Sequence, residues 1–379
     1  MNKRYIFLLS FLMSLGCSVS LACTSAIVAA KANPSGRPLL WKNRDTSAAD
    51  NKVEYVSSKA GEYSYVALFN AADLNLEQAW MGMNDVGFAV MNTASYNIKD
   101  DKVPEKDMDK EGYVMSIALR KCRTVDDFAV LLDTLPRPMG VEANFGVIDA
   151  YGNGAYFETN NHSYNRFNLS DSEDGVLVRT NYSYSGRPEE GFGFNREANA
   201  CRLLEPYRKK GEITPELFTE TLSRSFWHDL LQKDYGNEAE KWVVDQDFIP
   251  RYTSTATVVI EGCRPIEPTA MPDENMIEKQ YIMWTGLGYP PCSEIIPVWC
   301  SAEGVDPRLK GTKENGHSEM GDIVQSRRQE VFSLKKGNGE KYLDMTKLFN
   351  KDGNGYVQTL VPRNLETYRQ TKAKRDSKE

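Results

Sequence analysis

The chain has 379 residues, 41% of them hydrophobic and 26% charged, which is the make-up of an ordinary globular protein and excludes a disordered, collagen-like or many-pass membrane chain. Its formal charge of -7 argues against nucleic acid or an anionic membrane as partner, because both reward a basic face. A small neutral or amide-bearing substrate stays open.

At the N-terminus, Lys3 and Arg4 precede an apolar run over residues 5–15, followed by the small-residue triplet Ser20, Leu21, Ala22. This is the pattern of a secretory signal peptide cut before Cys23. The apolar run is about half the roughly 20 residues needed to span a bilayer, and no second run of spanning length follows. The expectation is an exported protein, periplasmic or secreted, with no membrane span after cleavage and a mature chain of 379 - 22 = 357 residues. Of the seven cysteines, Cys17 leaves with the leader. Cys122 and Cys201 stand among apolar helix positions and read as buried thiols. Whether Cys292 and Cys300 pair across their short loop is left open, since spacing does not settle geometry.

Cleavage after Ala22 makes Cys23 residue one, with an α-amine and a thiol on the same carbon. The amine has a pKa of roughly 7.7 to 8.0 and the thiol about 8.5, so near neutral pH the amine can take the thiol proton without a histidine. The three histidines, His162, His228 and His317, lie in no H-E-x-x-H motif and beside no G-x-S-x-G elbow, so zinc hydrolysis and Ser-His-Asp chemistry lack support. A lipidated cysteine is disfavoured, because Ser20 and Ser14 stand where a large aliphatic residue belongs upstream of Cys23 and Cys17. No Cys-x-x-Cys supports a thiol oxidoreductase.

Residues 23–47 read as strand, turn, strand, with the turn at Asn33, Pro34, Ser35 and Gly36. Such a hairpin carries Lys42 to Asp45 back towards Cys23, where a carboxylate can hold the new ammonium. On an ideal strand Lys42 and Arg44 share one face, Asn43 and Asp45 the other; the Asp45 face is the one expected to meet the site. Further along, Val86, Phe88 and Val90 alternate as a half-buried strand does. Helices are expected over Val114, Ile117, Ala118 and Cys122, and, after a Thr124 cap, over Phe128, Leu131, Leu132 and Leu135, the two covering one sheet. Strands follow at residues 144–150, 155–159 and 176–180, the last ending before Asn181.

Arg196 lies one turn before Ala200 on a helical face continued by Leu203, Leu204 and Tyr207. A charge on a buried face needs a partner, either a structural carboxylate or the active-site cleft; Arg202, Glu205 and Lys209 read as solvated. Thr214, Pro215 and Glu216 resemble a helix cap followed by Pro at the first helical position. Strands at residues 253–260 and 281–285 complete the sheets. Tyr289, Pro290, Pro291 and Trp299 form an aromatic loop that either shapes a pocket or packs in the core. Asn350, Asp352, Asn354 and Gly355 imitate a calcium loop, but Val361 occupies the place of its bidentate Glu, so no metal is expected. The Lys- and Arg-rich tail over residues 363–379 reads as a frayed helix or a disordered end. The domain division is 1–22 leader, 23–335 catalytic domain and 336–379 C-terminal extension.

The opening Cys-Thr and the later Asn-Arg-Asp-Thr resemble the cysteine branch of the N-terminal nucleophile hydrolases, the group of penicillin V acylase, choloylglycine hydrolase, isopenicillin-N acyltransferase and the dipeptidase A peptidases. Residues 81–92 (M-G-M-N-D-V-G-F-A-V-M-N) resemble the family's strand-turn-strand near the oxyanion hole, residues 177–186 its Thr-Asn element, and Arg196 its site arginine. The resemblance implies an α+β fold, an αββα four-layer sandwich of two antiparallel sheets between helix layers. It implies Cys23 as nucleophile and amine base, Asp45 as the carboxylate that orients the amine, and Asn181 as oxyanion donor, with Asn92 as a second candidate. Several members carry an arginine three residues before the aspartate, where this chain has Lys42 and its own arginine is Arg44. The implied activity is hydrolysis of a linear amide through a thioester, with no metal or organic cofactor. Acyl transfer, dipeptidase activity and a binding protein on the same fold are the alternatives, and a homo-oligomer stays open.

Overall fold

The computed structural model describes residues 22–237, 240–273, 277 and 280–377. The expected leader and Cys17, Ala22 apart, therefore lie outside the described residues. Thirteen strands build two antiparallel sheets. Those of the first are β1 (Thr24–Val28), β2 (Leu39–Asp45), β10 (Val176–Arg179), β11 (Ser254–Glu261), β12 (Ile282–Leu287) and β13 (Ile296–Val298), in the order β10-β1-β2-β11-β12-β13. The second is a meander in chain order: β3 (Asn51–Val56), β4 (Tyr65–Asn70), β5 (Met81–Asn84), β6 (Ala89–Ala94), β7 (Ala143–Ile148), β8 (Gly154–Thr159) and β9 (Tyr164–Asn168).

Alternation along these strands decides what each sheet covers. Ile27, Leu40 and Val258 of the first sheet meet Val66, Met83, Met91 and Tyr156 of the second in a buried inter-sheet core. The neighbouring residues Ala26, Leu39, Trp41 and Val259 turn outward and pack under α3 (Phe194–Arg208), the turns at Leu217–Arg224 and Tyr368. On the far side Tyr65, Phe88, Phe145 and Phe157 are covered by α1 (Glu111–Lys121) and α2 (Val125–Thr134). The result is the four-layer αββα sandwich. The Thr124 cap of α2 is a full capping box with Asp127, which satisfies two otherwise orphaned backbone donors.

Several sequence expectations change. Val86 lies in the turn between β5 and β6, with Gly87 at φ 83°, so it does not share a strand face with Val90. Pro215 is the first helical residue after Thr214, as expected, but the helix passes at once into a π-helical turn at Leu217–Thr221 and a 3-10 turn at Leu222–Arg224. Of the aromatic loop, Tyr289 packs in the inter-sheet core against Phe332, while Trp299 borders a surface pocket with Ile296 and Pro307. Cys292 and Cys300 are not joined; the Cys300 thiol faces the Met83 carbonyl at 3.6 Å. Over its described residues the basic tail is helical to Asp376 rather than frayed or disordered. Beyond α4 (Glu319–Val331), it belongs to a 21-residue helix, α5 (Tyr356–Asp376), whose Tyr368 ring stacks on Trp284 at 4.1 Å and whose Arg375 pairs with buried Glu261 at 3.0 Å. Before it, Tyr342–Asp344 pairs as a strand with Trp242–Val244.

Candidate active site

The β1-β2 hairpin sets Thr24 opposite Asn43. Extending that register by one residue puts Cys23 across from Arg44, and the Cys23 thiol lies 3.8 Å from the Asp45 carbonyl oxygen. Ile27 and Leu40 both face the inter-sheet core, so the period of two sends the side chains of Cys23, Lys42 and Arg44 to that same side. This reverses the expected use of the strand. The thiol shares its face with the two cations, and the Asp45 carboxylate stands on the opposite face, at the strand end.

Asp45 is held from that second side. Its Oδ1 accepts from Ser254 Oγ at 2.6 Å and from Asn43 Nδ2 at 3.0 Å. Its Oδ2 is buried with no hydrogen-bond partner; the Arg251 Nε lies 3.9 Å away. Burial pushes the Asp45 carboxyl up to about 7, against the pull of Arg251 and Arg196. A charged carboxylate there is costly while no close cation meets it.

Arg196, fully buried, ties the site together. Its Nη1 donates to the Cys23 carbonyl at 2.5 Å and to Thr24 Oγ1 at 3.0 Å, and its Nη2 donates to Asn181 Oδ1 at 3.0 Å. Its Nε meets Asp247 Oδ1 at 2.8 Å, an oxygen that Arg251 also reaches at 2.9 Å. Of the two partners left open for Arg196, it takes both, a carboxylate and the Cys23 strand. Gly193, at φ 95° just before α3, makes room: a Cβ there would lie 2.4 Å from the guanidinium, a spacing no side chain tolerates. Sequence reasoning missed Asp247 and Arg251, which sit in a loop before β11 without any periodic pattern.

Asn181 follows β10. Its Nδ2 donates to the Ala94 carbonyl at 2.9 Å, and its backbone bridges Phe192. The second sheet holds this loop: Thr93 Oγ1 donates to the Thr180 carbonyl at 2.6 Å, and Asn144 Nδ2 to the Thr180 and Tyr182 carbonyls at 3.2 and 3.0 Å. Asn92, on β6, is joined to the cation face, since Lys42 Nζ donates to its Oδ1 at 2.8 Å and to the Trp80 carbonyl at 3.1 Å. Burial brings the Lys42 ammonium down to about 8 and the Arg44 guanidinium to about 10, with Cys23 pulling both back up. Cys23, Asp45, Asn181 and Arg196 are thus linked at the mouth of β1 and β2, and Asn92 reaches them through Lys42.

Residues 32–194 match the family model of acyl-coenzyme A:6-aminopenicillanic acid acyl-transferase. Among solved structures, the chain is similar to the Caenorhabditis elegans ortholog of N-acylethanolamine-hydrolyzing acid amidase, at 12% identity and TM-score 0.42, over 68% of this chain and 98% of that one. It is similar to a conjugated bile acid hydrolase variant from Clostridium perfringens, at 13% identity and TM-score 0.44, over 75% of this chain and 95% of that one. It is also similar to penicillin V acylase from Agrobacterium tumefaciens, at 10% identity and TM-score 0.36, over 73% and 86% of the two chains. No curated protein sequence matches it.

Proposed function

We propose that this chain is an N-terminal nucleophile hydrolase, an exported amidase that cleaves linear amides through a thioester on Cys23, once Cys23 is the first residue. The observation that carries the reading is the Asp45 Oδ2, a buried acceptor without a hydrogen-bond donor beside the Cys23 strand. A free Cys23 amine is the donor it fits, and once that amine has taken the thiol proton the resulting ammonium makes the charged carboxylate favourable there. In the reaction the thiol attacks the amide carbonyl while the Cys23 amine takes its proton and hands it to the leaving amine. Asn181 carries the oxyanion: its amide has two hydrogens, one given to Ala94, which leaves one for the substrate. Arg196 is a positioning residue, holding the Cys23 carbonyl and Asn181 in one fork. Water activated by the same amine releases the acyl group.

The test begins with the intact mass and N-terminal sequence of the protein collected after export, which should show Cys23 first. With that chain, Cys23→Ala and Asp45→Asn should each abolish turnover of acyl amides, and Cys23→Ala should leave thermal unfolding nearly unchanged. Full activity in Cys23→Ala, or a mature end elsewhere, overturns the mechanism. The match to an acyl-transferase family favours one second reading, transfer of the acyl group to an amine that reaches the thioester before water. Added amines separate the two, because transfer yields a new amide and hydrolysis only free acid.

A further inference from the structure

A cavity of about 290 Å³ opens beside α4 and the chain that leaves it. Three cations line it, Arg328, Lys335 and Lys341, with the Gln325 amide among them. Its apolar wall is made by Tyr252, Phe332 and Leu334. Among the described residues no carboxylate lines this cavity, and no residue placed at the candidate active site does.

Arg328 is the buried member of the three. It is 7% exposed, on the side of α4 that is buried with Val324 and Val331. Among the described residues its one side-chain hydrogen bond runs from Nη1 to Gln325 Oε1 at 3.1 Å. Its guanidinium lies 4.2 Å from the centre of the Tyr252 ring, and Lys341 Nζ stands 4.8 Å from the same ring. The preceding residue is held differently, since Arg327 meets Glu294 at 3.2 Å. A guanidinium carries five donors, so most of those on Arg328 have no acceptor in the protein. Asp245 accepts the Tyr252 N–H at 2.9 Å and feels the charge of Arg328 without reaching it in an ion pair. Burial pushes its carboxyl up to about 7, against that hydrogen bond and the pull of Arg251 and Arg328, so near neutral pH it does not cancel the three cations. At the rim Glu340 is exposed and takes the Tyr342 hydroxyl at 2.9 Å.

We infer that this cavity binds a small organic anion, a carboxylate carried on an apolar body. The carboxylate takes the remaining donors of Arg328, because a planar guanidinium matches a planar carboxylate in a paired hydrogen bond. Lys335 and Lys341 add their charge from the rim. The apolar body lies against Phe332 and Leu334; Leu334 is 43% exposed, so it has apolar surface left to cover. Volume limits the ligand, since the cavity is just under the roughly 300 to 1,000 Å³ of small-molecule sites, which suits a one-ring acid rather than a nucleotide or a peptide.

Phenylacetate and phenylacetamide share one body and differ in charge, and titration calorimetry on the exported protein near neutral pH compares them. Phenylacetate should bind at least about tenfold more tightly, the size of one charge-assisted contact, and Arg328→Gln should bring the two affinities together. Arg328 is buried, so Lys341→Gln is the second variant. That lysine is exposed, and its loss should weaken phenylacetate about two- to fivefold, as for an exposed ion pair, and leave phenylacetamide unchanged. Bound phenylacetate should also slow acetylation of Lys335 and Lys341 by an N-hydroxysuccinimide ester, read by peptide mass, while Lys59, exposed and outside the cavity, reacts as before. No binding of phenylacetate, equal affinity for acid and amide, or acid binding that neither substitution touches overturns the site. Inorganic phosphate is the third probe. Binding as tight as that of phenylacetate would show that the cations alone hold the ligand, and the apolar body would be refuted.

Discussion

At the scale of single residues the site depends on one guanidinium whose donors have no substitute. Arg196→Met would leave the Cys23 carbonyl, Asn181 Oδ1 and Thr24 Oγ1 without it in a place water does not reach. Breaking a buried, hydrogen-bonded charge from its partners costs about 3 to 5 kcal/mol, and that loss is expected in urea unfolding at constant m. Asp247 is one third exposed, and Asp247→Asn keeps an oxygen facing both arginines, so its loss should be about 1 kcal/mol. Equal losses in the two variants would refute the unequal burial on which this rests. Arg196 was legible in the sequence because a charge stood on an otherwise apolar helix face. Asp247 and Arg251 were not: their loop has no period, and only the return of β11 alongside β2 brings them to Asp45.

Elements were legible where apolar spacing decided them and illegible where polar residues did. The Asn33 to Gly36 turn, the β1-β2 hairpin, α1, α2 and the strand before Asn181 follow from period and caps. The buried face of α5 consists of Val357, Leu360, Asn364, Tyr368, Thr371 and Arg375. Its spacing is helical, but half of it is polar and is paid for by Glu220, Ser293 and Glu261 across the interface, partners no local pattern announces. The packing predicts that Tyr368→Ala loses about 3 to 5 kcal/mol, as for other large buried aromatics, read as a shifted urea midpoint with unchanged m. A loss below about 1 kcal/mol would return the tail to the frayed end the sequence suggested. At α1, Glu111 stands in the first turn, where the helix dipole favours a negative charge by about 0.3 to 1 kcal/mol, yet burial pushes its carboxyl up to about 7. Burial wins. A carboxyl raised in the fold from 4.5 to about 7 contributes stability that is whole below the lower value and lost as pH rises through the higher one. The loss is on the order of 3 kcal/mol. Glu111→Gln should therefore flatten the fall in stability between pH 4.5 and 7, measured by urea unfolding across that range. An unchanged slope would show that Glu111 is already charged in the fold.

For the whole molecule, the same reasoning joins processing to folding. In the chain that retains Ala22, the nitrogen of Cys23 is an amide and brings no charge, while Asp45 is buried, lacks a donor at Oδ2 and is raised to about 7. Its stabilising contribution is present below 3.8 and disappears as pH rises through 7, so at pH 8 its charge is a burden on the fold. Asp45→Asn removes that burden and should raise the stability of the extended chain at pH 8 by about 1 to 3 kcal/mol, and by less at pH 5. In a chain that begins at Cys23, the ammonium supplies the missing donor. The carboxylate then becomes an asset, and the same substitution should lower stability at pH 8, by about 1 to 3 kcal/mol for a charge-assisted hydrogen bond. Four urea curves at each pH, two N-termini by two residues at position 45, give the coupling directly. A sign that does not change with the N-terminus would mean that Asp45 does not hold the amine. A sign that does change would make cleavage itself the step that settles the site, converting a strained carboxyl in the precursor into the ion pair on which the thiol's base depends.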